Sequence, residues 1–194
     1  VKQAAYAGSL RRGKETIGDI DLLVAAAKDD AAAISDAFVK FDCVADVIAK
    51  GATKTSIRTT DNLQVDLRIV ELNSFGAALM YFTGSKEHNV RLRERAIKQD
   101  MTLNEYRLAK DDAVVAQKSE QDIYKALGLA WIPPELREDR GEIDLAANDK
   151  LPTLVEVDDV KAELHAHTTA SDGRWSIEDY ALACCARGFH TVAI

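Results

Sequence analysis

The chain has 194 residues, 47% of them hydrophobic and 29% charged, and a formal net charge of −7. That length supports one large or two small cores, and the acidic balance excludes a surface that coats nucleic acid non-specifically, though not a local basic track. No stretch reaches the roughly 18 apolar residues of a membrane span, and the first residues do not read as a signal peptide. The three cysteines, Cys43 and the adjacent Cys184-Cys185, are sparse and odd in number, which points to a reducing, cytoplasmic setting. The chain opens on Val1 rather than Met and stops at Val192-Ala193-Ile194 within an expected strand, so it reads as a piece of something longer.

Residues 1–7 read as the end of a helix or linker feeding a short strand. Gly8-Ser9 then makes a turn, followed by the basic cluster Arg11, Arg12 and Lys14 and a strand through Asp19-Ile20-Asp21 to Val24. In a strand, residues i and i+2 share a face, so Asp19 and Asp21 project together while Ile20 and Leu22 face the other way. Paired carboxylates repel unless a cation sits between them, and hard oxygen ligands suit Mg²⁺. An Asp-x-Asp by itself is most often a solvated edge strand. The Gly-Ser turn and the arginines upstream add what a triphosphate needs, close backbone approach with hydroxyl and guanidinium donors.

Asp29 and Asp30 are expected to cap a helix running to about Phe41, with Ile34, Ala37, Phe38 and Phe41 at helical spacing. Three strands follow, about 44–49, 54–60 and 63–70, the last two joined by a tight turn at Asp61-Asn62. The third alternates cleanly, with Leu63, Val65, Leu67 and Ile69 on one face and Gln64, Asp66 and Arg68 on the other. Read as an antiparallel-type strand beside the Asp19-Asp21 strand, it supplies a third carboxylate. Three carboxylates from two strands make a two-metal site.

Ser74 opens a helical region that breaks at Tyr81-Phe82-Thr83-Gly84-Ser85. A second helix, about 86–99, carries Arg91, Arg93, Arg95 and Lys98, which taken singly are best read as a solvated face partnered by Glu87 and Glu94. The aromatic pair at a glycine break marks a place where a sugar and base, or another chain, can approach. Asn104-Glu105-Tyr106-Arg107 reads as a short strand, and Ser119 to Asp122 as a capped helix start, that helix ending near Gly128. Pro133-Pro134 begins another helical piece. The stretch 141–162 is acidic and irregular and reads as an interdomain linker. In the tail, His165 and His167 share one face of an expected strand and Asp172 follows in a turn before a helix over 176–188. Two imidazoles and a carboxylate suit Zn²⁺, Mn²⁺ or Fe²⁺, although His-x-His alone is usually structural.

The ordered set of motifs resembles the bacterial and archaeal family X DNA polymerases that carry a C-terminal PHP (polymerase and histidinol phosphatase) domain. The motifs are Gly-Ser-Leu-Arg-Arg-Gly-Lys at 8–14, Gly-Asp-Ile-Asp at 18–21, Gln-Val-Asp-Leu-Arg at 64–68, Tyr-Phe-Thr-Gly-Ser at 81–85, Asn89 to Arg93, Leu-Asn-Glu-Tyr at 103–106, Pro-Pro-Glu-Leu-Arg-Glu-Asp-Arg-Gly-Glu at 133–142 and the His-x-His tail. The resemblance implies an α+β fold: a nucleotidyltransferase-type palm with a mixed sheet over 1–72, lacking its N-terminal part, and a small helical and strand thumb over 73–140. A linker over 141–162 and the truncated start of a PHP domain over 163–194 would follow.

It further implies that Asp19, Asp21 and Asp66 hold two Mg²⁺ ions, with Mn²⁺ as an alternative. Ser9, Arg12 and Gly18 would meet the triphosphate of a dNTP, and Tyr81, Phe82 and Gly84 its sugar. Asn89 would lie at the nascent base pair, and Arg93 and Arg68 would meet DNA. His165, His167 and Asp172 would be part of a PHP site whose Zn²⁺ or Mn²⁺ belongs to the full-length protein, so this tail is expected to lack nuclease activity and to be disordered. Partners would be primer–template or gapped DNA and a dNTP, with no membrane, and the chain a monomer.

Animal gap-filling relatives carry an arginine where this chain has Gln64, and the family's N-terminal DNA-end-binding segments are expected to be missing. Two other readings remain open. One is a nucleotidyltransferase for a small molecule or an RNA end, against which the thumb motifs argue. The other is a non-catalytic DNA-end-binding module, against which the intact carboxylates argue.

Overall fold

A computed structural model describes all 194 residues, which divide into two compact units, residues 1–151 and 152–194. The first unit is organised on a five-stranded sheet. Its strands are β1 (Gln3–Tyr6), β2 (Asp19–Ala25), β3 (Val44–Lys50), β4 (Lys54–Thr59) and β5 (Gln64–Val70), in the spatial order β1-β2-β5-β4-β3. A four-residue helix, α1 (Gly8–Arg11), sits between β1 and β2, and α2 (Ala31–Phe38) follows β2.

Expected and observed strands agree to within a residue or two, but the pairing differs in one respect. β5 is antiparallel to β4 and parallel to β2, not antiparallel to both. The crossover through α2 and the β3–β4 pair returns β5 beside β2 in the same direction, as a strand–helix–strand connection requires. The sheet is therefore mixed. Asp29 and Asp30 lie in a 3₁₀ turn and make no side-chain cap, because Asp30 already has helical backbone angles. Helix α2 ends at Phe38, leaving Phe41 exposed and edge-on to the Phe38 ring.

Strand parity divides the sheet into two faces. Ile20, Leu22 and Val24 of β2 and Val65, Leu67 and Ile69 of β5 pack with Ala31, Ile34 and Phe38 of α2. On the opposite face Leu23 and Ala25 pack under Phe75 and Ala78 of α3 (Phe75–Thr83). Asp19, Asp21 and Asp66 share that second face, where α3 no longer covers it.

Helix α3 serves two cores, since Ala77 and Met80 look away from the sheet into a cluster built by α4 (Lys86–Ile97), a three-stranded sheet and α5 (Glu120–Ala126). That sheet consists of β6 (Thr102–Leu103), β7 (Leu108–Lys110) and β8 (Ala113–Ala116). Leu92, Leu108, Ile123, Tyr124, Leu127 and Ile132 are fully buried there, each large side chain worth about 1.5–3 kcal/mol in transfer free energy. Gly76 lets α3 approach the start of α5, because a Cβ there would lie 2.4 Å from the Ser119 backbone.

Three local expectations change. Asn104–Arg107 is a turn between β6 and β7 rather than a strand: the Asn104 side chain accepts from the backbone N–H of Tyr106 and Arg107 at 2.9 and 3.0 Å, taking the bonds a strand neighbour would make. The 81–85 break narrows to Gly84-Ser85, with Tyr81 and Phe82 in the last turn of α3. The expected linker begins instead with α6 (Glu142–Ala147), whose Ile143 and Ala146 join the second core, so the first unit extends to Leu151. Its acidic composition hid two apolar residues at i and i+3.

In the second unit, β9 (Ala162–Glu163) and β10 (Thr191–Val192) pair in parallel, with α7 (Ile177–Ala186) between them. The structure describes this tail as an ordered strand–helix–strand unit rather than a disordered one. Ser176 caps α7 by accepting from the Asp179 N–H at 3.0 Å. No helix is long and apolar enough to cross a membrane.

Candidate active site

Asp21 and Asp66 are register partners across the parallel β2–β5 ladder, where strands lie about 4.8 Å apart, and Asp19 follows two residues along the same face. Gly8 closes over this group. It adopts φ +61°, and a Cβ on it would lie 2.3 Å from Asp21 Oδ2, so the carboxylate packs against the glycine α-carbon. The Ala7 N–H also donates to the Asp21 carbonyl at 2.8 Å, tying the α1 turn to β2.

The electrostatics are uneven. Burial raises the Asp21 pKa, and the charges of Asp19 and Asp66 push it further; Arg68 and Lys54 offset only part of this. Burial acts on Asp66 in the same direction, but hydrogen bonds from Lys54, Ser56 and Gln64 outweigh it and hold Asp66 below the ordinary carboxylate range. Lys54 Nζ lies 2.5 Å from Asp66 Oδ2, and Gln64 Nε2 donates to Oδ1 at 3.0 Å. As the side chains stand, no group of three or more His, Cys, Asp or Glu is close enough to hold one metal ion.

A cavity of about 350 Å³ opens beside the carboxylates. Of the residues singled out from sequence, Ser9, Arg12, Asp19, Asp21, Tyr81, Phe82, Gly84, Asn89 and Arg93 line it, and Gly8, Thr83 and Lys86 complete the wall. Gly18, which is exposed, and Asp66 and Arg68 are not among the residues that line it. Larger cavities, of about 520 Å³ along Val114–Ala126 and about 480 Å³ near Ala31, Ile69 and Tyr106, lack paired carboxylates, while one of about 400 Å³ on the other side of Arg12 gathers Lys14, Arg140, Glu135 and Glu138 without any of the three aspartates. Volume alone does not identify the site.

The two adjacent arginines diverge. Arg12 faces the cavity, where its Nε donates to Glu138 at 2.8 Å and its Nη1 to the Thr83 carbonyl at 2.6 Å. Arg11 points into the protein and makes a two-pronged pair with Glu120 at 2.7 and 2.8 Å while also donating to Thr83 Oγ1. Fully buried Arg137 meets the same carboxylate at 2.7 Å, and Trp131 Nε1 donates to it at 3.2 Å. Burial alone would raise Glu120, but Arg11 and Arg137 pull it down from 4.5 to about 2. The resemblance singled out Arg12 but gave Arg11 no role, and it gave Glu120 none beyond opening a helix.

Arg68 sits with its Cζ 4.1 Å from the centre of the Phe82 ring, a cation–π arrangement. Asn89 Nδ2 donates to the Tyr81 carbonyl at 2.7 Å, bridging the start of α4 to the end of α3 across Gly84. Its neighbour His88 is fully buried, with Nδ1 2.5 Å from Glu142 and Nε2 2.9 Å from the Tyr124 hydroxyl. Burial lowers the His88 pKa, so the neutral ring donates from Nδ1 to the Glu142 carboxylate and accepts from Tyr124. Arg93 is exposed at the rim of the cavity.

In the second unit, the Nε2 atoms of His165 and His167 converge to 3.3 Å, and Asp172 Oδ1 lies 2.6 Å from the other nitrogen of His167. Asp172 thus sits in direct hydrogen-bond contact with the His167 ring. Gly173 closes this turn; a Cβ there would fall 2.0 Å from the His167 carbonyl oxygen.

A family model described as the DNA polymerase beta thumb matches residues 78–138. The chain is 35% identical, over 97% of its length, to the DNA polymerase/3'-5' exonuclease PolX of Bacillus subtilis. The similarity to family X DNA polymerases thus runs along nearly the whole chain. Over 68% of its length it is also 25% identical to DNA polymerase lambda of Rattus norvegicus. A crystal structure of Leishmania infantum polymerase beta in a ternary P/T complex superimposes with a TM-score of 0.60 at 26% identity, covering 70% of this chain and 67% of that one. The mixed sheet and the helices around it are thus the palm and thumb fold of polymerase beta. The chain spans a third of the Bacillus relative and 28% of the rat one.

Proposed function

We propose that the chain carries the nucleotidyl-transfer palm (1–72) and thumb (73–140) of a template-directed DNA polymerase that fills short gaps in repair, with residues 163–194 opening a PHP domain. The observation that carries this reading is the Asp21–Asp66 register on parallel strands, with Asp19 and Asp21 opening on a cavity walled by Gly8-Ser9, Arg12 and the end of α3. The substrates are a primer–template or gapped DNA and a dNTP; the primer 3′-hydroxyl attacks the α-phosphate and pyrophosphate leaves. The reading also carries a monomeric chain in the cytoplasm, in keeping with its three free cysteines.

The donor set fits two divalent cations, Mg²⁺ first. Asp19, Asp21 and Asp66 offer hard oxygens only, and the upward push on Asp21 from its two neighbours is a surplus of negative charge. Such ions, when bound, acidify an attacking hydroxyl and neutralise charge on the phosphates. The other steps fall to this chain's residues. Ser9 and Arg12 bind the triphosphate, with Gly18 loosening the approach to β2. Tyr81, Phe82 and Gly84 border the sugar, and Arg68 braces Phe82 from behind. Asn89, anchored on Tyr81, and Arg93 at the rim meet the nascent pair and the template. Separately, His165 and His167 form a paired imidazole site for Zn²⁺ or Mn²⁺, with Asp172 fixing the second ring.

Primer extension on gapped DNA by the full-length protein tests the reading. Asp21→Asn is expected to reduce incorporation by about a hundredfold or more, the scale seen when one transition-state contact is lost, with the fold intact. Undiminished extension by that variant refutes the assignment, and transfer that ignores the template favours a small-molecule or RNA-end substrate instead.

A further inference from the structure

Asp66 is the one carboxylate of the three whose oxygens are both engaged by the chain itself. Lys54 Nζ lies 2.5 Å from Oδ2 and Gln64 Nε2 lies 3.0 Å from Oδ1. Gln64 is a neutral donor two residues away on the same strand face. Lys54 comes from the neighbouring strand: it is the first residue of β4, opposite Arg68 in the antiparallel register, while Ser56 stands opposite Asp66. Its side chain is 41% exposed against 7% for Asp66, so the ammonium reaches in from solvent along the edge of the carboxylate cluster.

One carboxylate oxygen cannot serve an ammonium and a divalent cation together without placing like charges in contact. We propose that Lys54 is an in-chain competitor of the divalent cation, its ammonium holding the Asp66 oxygen that the cation must take and swinging out to solvent when it does. This rests on the reading of Asp19, Asp21 and Asp66 as cation ligands. The geometry suits an exchange. A lysine ammonium is a compact, strongly hydrated charge on a flexible stem, and with 41% of the Lys54 side chain exposed it can leave the buried carboxylate for water. Arg68 cannot play the part, since its guanidinium is committed to the face of Phe82. Lys54 is in these terms a positioning residue that sets the threshold cation concentration at which Asp66 becomes a ligand.

The test is direct Mn²⁺ binding to the whole chain, followed by electron paramagnetic resonance with no DNA or nucleotide present. Lys54→Met is expected to tighten the dissociation constant about fivefold, the scale of one ion pair whose lysine end is open to solvent, and Lys54→Arg to stay near wild type. Lys86→Met removes a charge that lines the cavity without touching Asp66 and is expected to change binding less than about twofold. Equal or weaker binding by Lys54→Met, or an equal gain in Lys86→Met, overturns the competition. If Asp19→Asn and Asp21→Asn leave wild-type Mn²⁺ binding unchanged, the cluster is not a cation site, and the underlying reading fails together with the inference.

Discussion

Removing the Glu120 carboxylate while keeping its shape, as Glu120→Gln does, should expose how strongly the first unit depends on one buried charge. In the wild type, Glu120 is 4% exposed and Arg137 wholly buried, and three donors from Arg11 and Arg137 converge on the carboxylate at 2.7–2.8 Å. An amide leaves both guanidiniums without a counter-charge, and breaking one side of a buried pair costs about 3–5 kcal/mol. The pH dependence gives a second, independent magnitude. The Glu120 pKa falls from 4.5 to about 2 on folding, and each unit is worth 1.36 kcal/mol, so the carboxylate contributes about 3 kcal/mol. Because the folded value is the lower one, that contribution is complete above pH 4.5 and disappears as the pH falls toward 2.

Urea unfolding followed by tryptophan fluorescence at a series of pH values from 6 to 2.5 measures both effects. Trp131 is a local probe, since its indole N–H donates to the same carboxylate. The wild-type advantage over Glu120→Gln should be largest at pH 6 and should shrink steadily below pH 4.5. A gap that stays constant down to pH 2.5, or one under 1 kcal/mol at pH 6, would refute the argument that the network is held by a depressed carboxylate.

Gly76→Ala should destabilise the first unit by about 1–3 kcal/mol, the usual cost of forcing extra volume into packed structure, because its Cβ meets the Ser119 backbone at 2.4 Å; thermal unfolding reads this, and an unchanged midpoint would show that α3 and α5 can separate freely. Imidazole ¹⁵N resonances of His88 should report a neutral ring protonated at Nδ1 that takes up its second proton only below pH 6.5, since burial lowers its pKa. The unfolded chain takes up the proton that the folded one refuses, so stability should fall as the pH drops through 6.5. Tyr124→Phe leaves the His88 Nε2 acceptor without its 2.9 Å donor and should cost about 1–3 kcal/mol.

Much of the sheet could be read directly. The alternation of Val65, Leu67 and Ile69 against Gln64, Asp66 and Arg68 places Asp66 on the face opposite the core, and i, i+2 spacing does the same for Asp19 and Asp21. Alternation is identical in a parallel and an antiparallel pair, so the direction of β5 against β2 was not in the pattern; it follows from the crossover between them. Asn104 and α6 were hidden for different reasons. The first replaces backbone partners with its own side chain, and the second buries only Ile143 and Ala146 within an acidic run. Lys54, Glu120, Glu138 and Arg137 left no periodic signal, because each acts through a partner distant in sequence.

The divergence of Arg11 and Arg12 has a geometric cause that bears on the site. In a strand, neighbours point in opposite directions, and both arginines would have straddled the sheet. In the helical turn of α1, successive residues are rotated by about 100°, so one arginine turns inward to Glu120 while the next faces the cavity. Thr83 stands between them, with its hydroxyl taken by Arg11 and its carbonyl by Arg12. The glycine turn that meets Asp21, the end of α3 that walls the cavity and the buried carboxylate on α5 are thus joined within a few bonds. The distance between the palm carboxylates and the aromatic pair at Tyr81-Phe82 is therefore set by an ion-paired strut inside the protein, and a substitution at Glu120, although it touches nothing in the cavity, removes the inner anchor of the segment that carries Arg12.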